Sequence, residues 1–173
     1  MDLLYDFGQN YGMIFLIILS WYVLWDRNNL FFYYNVGLLA CSMLNTILKG
    51  VIQQPRPMFD SKKVELAKTH ARRYFFQNGI PYEMFGMPSG HAQLSLFSTV
   101  YVYLALKHTN LLYLYLVCSI LICYQRIKYD YHTFAQIIVG AMVGAGFAYF
   151  VYHLARDKIK GRIREKPDDF GPV

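Results

Sequence analysis

Arg126-Ile127-Lys128-Tyr129-Asp130-Tyr131-His132-Thr133-Phe134-Ala135-Gln136 sits between two long apolar runs. It reads as the point where one membrane helix emerges and the next begins. His132 and Gln136 are four apart, which on a helix puts them on one face, a turn apart. Ionisable groups at membrane depth are costly and usually functional, so the fold and the chemistry of the chain both hang on this stretch.

The composition agrees with a membrane setting. Of 173 residues 55% are apolar and 18% aromatic, and only 16% are charged, against about a quarter in soluble domains. The expected fold class is all-α, a polytopic membrane bundle in one domain over residues 1–173. The three cysteines, Cys41, Cys118 and Cys123, lie inside apolar runs without paired ligand spacing. They read as small buried hydrophobes, neither a disulfide framework nor a zinc site. The first apolar run follows Asp2 and Asp6 where a signal peptide has a basic region. It is therefore taken as a span.

Five segments are apolar enough to cross a bilayer: about Phe7–Trp25, Leu30–Leu48, His91–Leu106, Leu111–Tyr124 and Thr133–Ala155. A span needs roughly 20 residues, so the third and fourth suit a thin bilayer such as that of the endoplasmic reticulum. The tight turns Asp26–Asn29 and Lys107–Asn110 make their helices antiparallel neighbours. Trp21, Trp25, Tyr33 and Tyr34 fall near span ends, as interfacial aromatics do. The segment Gly50–Met87 is too polar to span. Within it Val64, Ala67, Ala71 and Tyr74 recur at helical spacing among lysines and arginines, with Asp60 or Ser61 as start and Gly79 as stop. That pattern predicts an amphipathic helix on the membrane surface; a solvated helix is the alternative. On the fifth span Gly140, Ala141, Gly144, Ala145 and Ala148 predict close helix packing.

Alternating spans put Lys49, His91 and Arg126 on one face. The tail from Arg156, with Lys158, Lys160, Arg162, Arg164 and Lys166, lies on the other. The positive-inside rule makes the tail cytoplasmic and the reactive face lumenal or extracellular.

Three motifs reach that face. Lys49 closes the second span, and Arg56 is held between Pro55 and Pro57. A lysine in that place can simply snorkel. An arginine fixed by two prolines is harder to dismiss, because its planar fork suits phosphate oxygens. Pro88-Ser89-Gly90-His91 opens the third span, with Ser89 as a natural N-cap and Gly90 open to a ligand. Free amides and the helix dipole make an anion site there, with His91 beside it. Arg126 and His132 complete the set. Each motif alone has an ordinary reading: a snorkelling lysine, a capped helix, an interfacial histidine. Their coincidence points to phosphoryl transfer, in which cations and amides hold the equatorial oxygens. One nitrogen attacks and one acid protonates the leaving oxygen. No Asp/Glu cluster for a divalent ion is apparent, so metal-independent chemistry without a cofactor is expected.

The order Lys-x6-Arg-Pro, Pro-Ser-Gly-His, Arg-x5-His resembles the type-2 phosphatidic acid phosphatase superfamily over Lys49–Gln136. The resemblance implies that Lys49, Arg56, Ser89, Gly90 and Arg126 hold the phosphate. It also implies that His132 becomes a phosphohistidine and His91 is the general acid. Two positions depart from the common pattern. Gln125 stands where serine precedes the arginine, and Gln136 where an aspartate follows the histidine. A glutamine carbonyl can still accept the imidazole N–H, without a full charge. Tyr131-His132-Thr133-x-x-Gln136 and Ala92-Gln93 resemble the dolichyl-diphosphatase branch. That likeness implies an isoprenoid lipid diphosphate substrate on the lumenal face of the endoplasmic reticulum. The superfamily bundle has six spans, one more than are counted here. Membrane lipids are the expected partners, and nucleic acid is not. Rival readings are a phosphatase for phosphatidate or another lipid or sugar phosphate, and an inactive lipid-binding scaffold. A small transporter fits less well, because the charges gather at one face.

Overall fold

The computed structural model of the chain describes residues 3–58 and 84–162. The helix expected around Val64–Tyr74 and the far end of the basic tail lie outside them. The described elements are α1 (Leu3–Asp6), a π-helical turn (Phe7–Tyr11), α2 (Gly12–Leu24), α3 (Asn28–Ile52), α4 (Gly90–Leu106), α5 (Thr109–Lys128) and α6 (Phe134–Arg162). All five expected spans are helices. Asn28–Ile52, Thr109–Lys128 and Phe134–Asp157 are long and apolar enough to cross a membrane, and Gly12–Leu24 is a shorter apolar helix.

Helix α4 lies at the centre, packed on α2, α3, α5 and α6. Its buried hydroxyls suit that position. Ser98 Oγ meets Tyr34 Oη at 2.9 Å, and Thr99 Oγ1 meets Ser119 Oγ at 3.0 Å. Tyr101 Oη donates to the Leu30 carbonyl at 2.9 Å. Away from water each of these groups needs a protein partner, and such bonds tie helices together. Tyr34 is therefore a core residue, fully buried against Phe97 and Tyr101, and not an interfacial aromatic as its position near a span end suggests. Ile18, Trp21 and Tyr22 on α2 and Trp25 just after it face outward.

Close approach of α4 and α6 depends on small residues. A Cβ on Gly140 would stand 2.5 Å from the Ser89 carbonyl oxygen, and one on Gly144 would overlap the Gln93 carbonyl. Ala148, one turn further on, is fully buried. This contact fixes the register between the start of α4 and the start of α6, on which the site depends. Cys41 and Cys118 are buried and all three thiols are free.

Candidate active site

Four helix ends meet at one end of the bundle. Helix α3 stops where Gln53 turns left-handed (φ 52°), its N–H on the Lys49 carbonyl at 3.0 Å. The chain on either side of residues 59–83 is then clasped. Arg56 N–H donates to the Met84 carbonyl at 3.0 Å, and Gly86 N–H to the Gln54 carbonyl at 2.7 Å, around a Pro55–Phe85 bridge. This clasp carries Arg56 back to the start of α4, and Ser89 N–H donates to the Gln136 carbonyl at 3.0 Å.

Lys49 is 6% exposed and Arg126 is 4% exposed. The lysine therefore does not snorkel to water. Buried cations need anionic or polar partners. Ser89 occupies the N-cap position of α4, but its hydroxyl makes no cap bond. It is buried and has no hydrogen-bond partner, which corrects the expectation of a serine cap. Its backbone carbonyl takes Gln93 N–H at 3.0 Å instead. A buried hydroxyl left unmatched in this way costs about 1–3 kcal/mol. Gly90 follows, and a Cβ there would stand 3.1 Å from Asn45 Oδ1. His91 lies in the first turn of α4, where Arg126 Nη2 is 2.8 Å from both its ring nitrogens. Arginine only donates, so the nitrogen taking this bond accepts, and the neutral ring carries its proton on the other.

After α5 the chain turns sharply. Asp130 is left-handed (φ 55°), and the N–H groups of Tyr131 and His132 both return to the Arg126 carbonyl, at 3.0 and 3.1 Å. His132 thus lies before α6 and not on it, which corrects the shared-face argument for His132 and Gln136. What joins them is a capping box at Thr133. Gln136 N–H donates to Thr133 Oγ1 and Thr133 N–H to Gln136 Oε1, both at 3.2 Å. The same Oε1 lies 3.2 Å from His132 Nδ1, while Gln136 Nε2 donates to the Pro55 carbonyl at 2.9 Å.

These partners fix the glutamine twice over. A backbone N–H demands the oxygen on one side, and a carbonyl demands the nitrogen on the other. The Gln136 oxygen can only accept, so His132 carries its proton on Nδ1 and keeps the Nε2 lone pair. His132 is 3% exposed. Burial first and the charge of Arg56 next hold its pKa down at about 3, against an upward pull from the Gln136 hydrogen bond and with lesser help from Lys49 and Arg126. It is neutral throughout the physiological range.

Gln125 is also fully buried, and neither atom of its amide has a hydrogen-bond partner. Three contributors carried no role in the motifs. Asn45 Nδ2 donates to the Pro88 carbonyl at 3.1 Å and to Gln93 Oε1 at 2.8 Å, and Gln93 Nε2 to the Cys41 carbonyl at 2.8 Å. This network braces the Pro88–Gly90 loop from behind. Gly86 admits Gln136, whose amide a Cβ would overlap. The Pro55 carbonyl holds the far side of that amide. Asn45 had a signal, since a lone amide one turn before Lys49 at membrane depth is costly without a purpose. Gly86 and Pro55 act through backbone, which leaves no side-chain pattern.

No solved structure matches the chain. A dolichyldiphosphatase of Saccharomyces cerevisiae is 31% identical over 66% of this chain and 48% of its own length. The human and mouse proteins named dolichyldiphosphatase 1 are each 28% identical, over 67% and 66% of this chain and 50% and 49% of their own lengths. The chain thus matches about half the length of these curated relatives. The model of the PAP2 superfamily matches residues 30–160, a stretch that contains all four helix ends, and the chain belongs to that superfamily.

Proposed function

We propose that the chain is an integral membrane phosphatase that hydrolyses an isoprenoid lipid diphosphate, dolichyl diphosphate in the first place, through a phosphohistidine on His132. One observation carries the reading. A buried imidazole is kept neutral, its Nδ1 proton tied to Gln136 and its Nε2 lone pair left for attack, under the charges of Arg56, Lys49 and Arg126.

In this reading Lys49, Arg56 and Arg126 neutralise the phosphate. The Ser89 hydroxyl and the amides opening α4 at Gly90 donate to its oxygens. His132 Nε2 attacks the terminal phosphorus, an N–P bond forms, and the bridging P–O bond breaks. His91, in its protonated form and turned off Arg126, gives a proton to the departing lipid phosphate. Water then attacks phosphorus and yields its proton to His91. The N–P bond breaks, inorganic phosphate leaves, and His132 recovers its lone pair. Gln136 orients the ring and accepts from Nδ1–H throughout, the part a carboxylate plays when it holds a catalytic histidine. Three cations and a helix N-terminus supply the electrostatics, so the reaction proceeds without a divalent metal.

The lipid narrows further by similarity to the proteins named dolichyldiphosphatase. The motif resemblance and the short spans favour the endoplasmic reticulum, and the basic run from Arg156 favours a cytoplasmic tail with the site lumenal. The test is phosphate release in detergent with excess chelator, from dolichyl diphosphate and from phosphatidate, with His132→Ala and His91→Ala as controls. The expected outcome is release from the diphosphate that both substitutions abolish. Turnover surviving either change refutes the assignment of roles. Preference for phosphatidate moves the substrate within the superfamily, and no release from any lipid favours a scaffold.

A further inference from the structure

The segment Leu3–Tyr11 carries no motif, yet it reaches the site. The Tyr5 hydroxyl is 3.1 Å from the Tyr131 hydroxyl, and the Tyr5 ring meets the Tyr129 ring edge-on at 5.1 Å between centroids. The Tyr131 ring in turn lies over Arg126, with the guanidinium carbon 4.8 Å from the ring centroid. The segment also abuts the residue before Arg126. Gly8, in the π-helical turn, leaves no room for a Cβ against the Gln125 side chain. Leu3–Tyr11 therefore holds Arg126 from two sides, through Tyr131 in space and through Gln125 along α5.

A guanidinium binds phosphate well only when its plane is aimed, since its donors form a rigid fork. Arg126 is the last long side chain but one of α5, and without a ring against its face it has many rotamers to lose on binding. A ring lying over the guanidinium restricts how it can turn, while its N–H groups donate elsewhere. His91 meets one of them at Nη2. Tyr131 can serve in this way because the left-handed turn at Asp130 folds it back over Arg126.

We propose that Tyr131 is a positioning residue for Arg126, and that the Leu3–Tyr11 segment, through the Tyr5 hydroxyl, is the strap that keeps Tyr131 in place. The proposal rests on the reading that Arg126 binds the substrate phosphate. Its test therefore includes a ligand readout that needs no turnover. The full chain in detergent is compared with Tyr131→Leu, Tyr131→Phe, Tyr5→Phe and the double Tyr5→Phe/Tyr131→Phe variant. Orthovanadate affinity is read from thermal shift, and KM and kcat from release of phosphate from the lipid diphosphate.

Tyr131→Leu is expected to weaken vanadate binding and raise KM by about five- to tenfold, within the range of a guanidinium–ring contact, with a much smaller change in kcat. Tyr131→Phe keeps the ring and loses only the strap bond, so about a twofold effect is expected. Tyr5→Phe and the double variant should match it, because all three remove one and the same hydrogen bond. Wild-type vanadate affinity in Tyr131→Leu, with only the melting temperature lowered, overturns the proposal, as does additivity of the two phenylalanine changes. If the wild type releases no phosphate while Tyr131→Leu still weakens vanadate binding, the proposed function fails and the strap stands.

Discussion

Replacing Gln136 by glutamate changes one atom's chemistry and leaves the size of the side chain alone. Two of the three side-chain contacts survive, because a carboxylate oxygen still accepts from Thr133 N–H and His132 Nδ1–H, each now at 3.2 Å. The third reverses sign. The Pro55 carbonyl, which now receives Nε2–H at 2.9 Å, would face an oxygen. Losing that donor leaves a half-buried carbonyl unmatched, a destabilisation of about 1 kcal/mol. The new charge also acts on His132. At a separation of about 4 Å and an effective dielectric of about 20, a carboxylate favours the imidazolium by roughly 4 kcal/mol. That corresponds to about three pK units, lifting His132 from about 3 to about 6. Protonated His132 has no lone pair for phosphorus. In Gln136→Glu, kcat/KM should therefore fall as pH drops below about 6, whereas His132 imposes no such limb on the wild type above about pH 4. Taking the ratio of the two profiles on one substrate cancels substrate ionisation. The stability signs also differ. With the folded pKa depressed, the wild type keeps its full stability above about 6.5, the unfolded value, and loses it as pH falls from there toward 3. The glutamate variant starts lower at neutral pH and loses less on acidification. Parallel profiles for the two proteins would refute the idea that Gln136 is needed as an uncharged acceptor and donor at once.

Two further substitutions test the frame around the site. Asn45→Leu removes the donor to Pro88 and Gln93 and leaves buried acceptors at about 1–3 kcal/mol each. Both the melting temperature and kcat/KM should fall, whereas Met43→Leu, on the exposed side of the same helix, should change neither. Gly144→Ala puts a methyl into the Gln93 carbonyl, and forced separation of packed elements costs typically about 1–3 kcal/mol. Activity in this variant should fall with stability, because the Ser89–Gln136 backbone bond spans the same two helices.

How much of this was legible in the sequence depends on which atoms do the work. Helices α3, α5 and α6 announce themselves as apolar runs of membrane length, and α4 follows from Ser-Gly-His at its head and Lys107 at its end. The convergence of Lys49, His91 and Arg126 on one end follows from alternating direction, whereas Arg56 is brought to the start of α4 by the backbone clasp. Tyr34 misled because its place in the sequence resembles an interfacial tyrosine, while in space its hydroxyl finds Ser98 across the core. The relation of His132 to Gln136 misled for a local reason. Four-residue spacing suggests one helical face, but Thr133 starts the helix and the glutamine folds back. The Pro55 carbonyl, the absent Cβ of Gly86 and the contact of the Tyr131 ring with Arg126 belong to backbone and tertiary geometry, which no residue pattern encodes.

The central claim is that His132 Nε2 takes the phosphoryl group. It is tested most directly by acid-free quenching of the chain during turnover of a lipid diphosphate labelled at its terminal phosphorus. The labelled residue is then identified by peptide mass analysis. The account predicts a base-stable, acid-labile phosphoryl group on His132, absent from His132→Ala and accumulating in His91→Ala if any attack persists there. Turnover with the label on another residue, or a steady state of active enzyme that never carries label on His132, would contradict it.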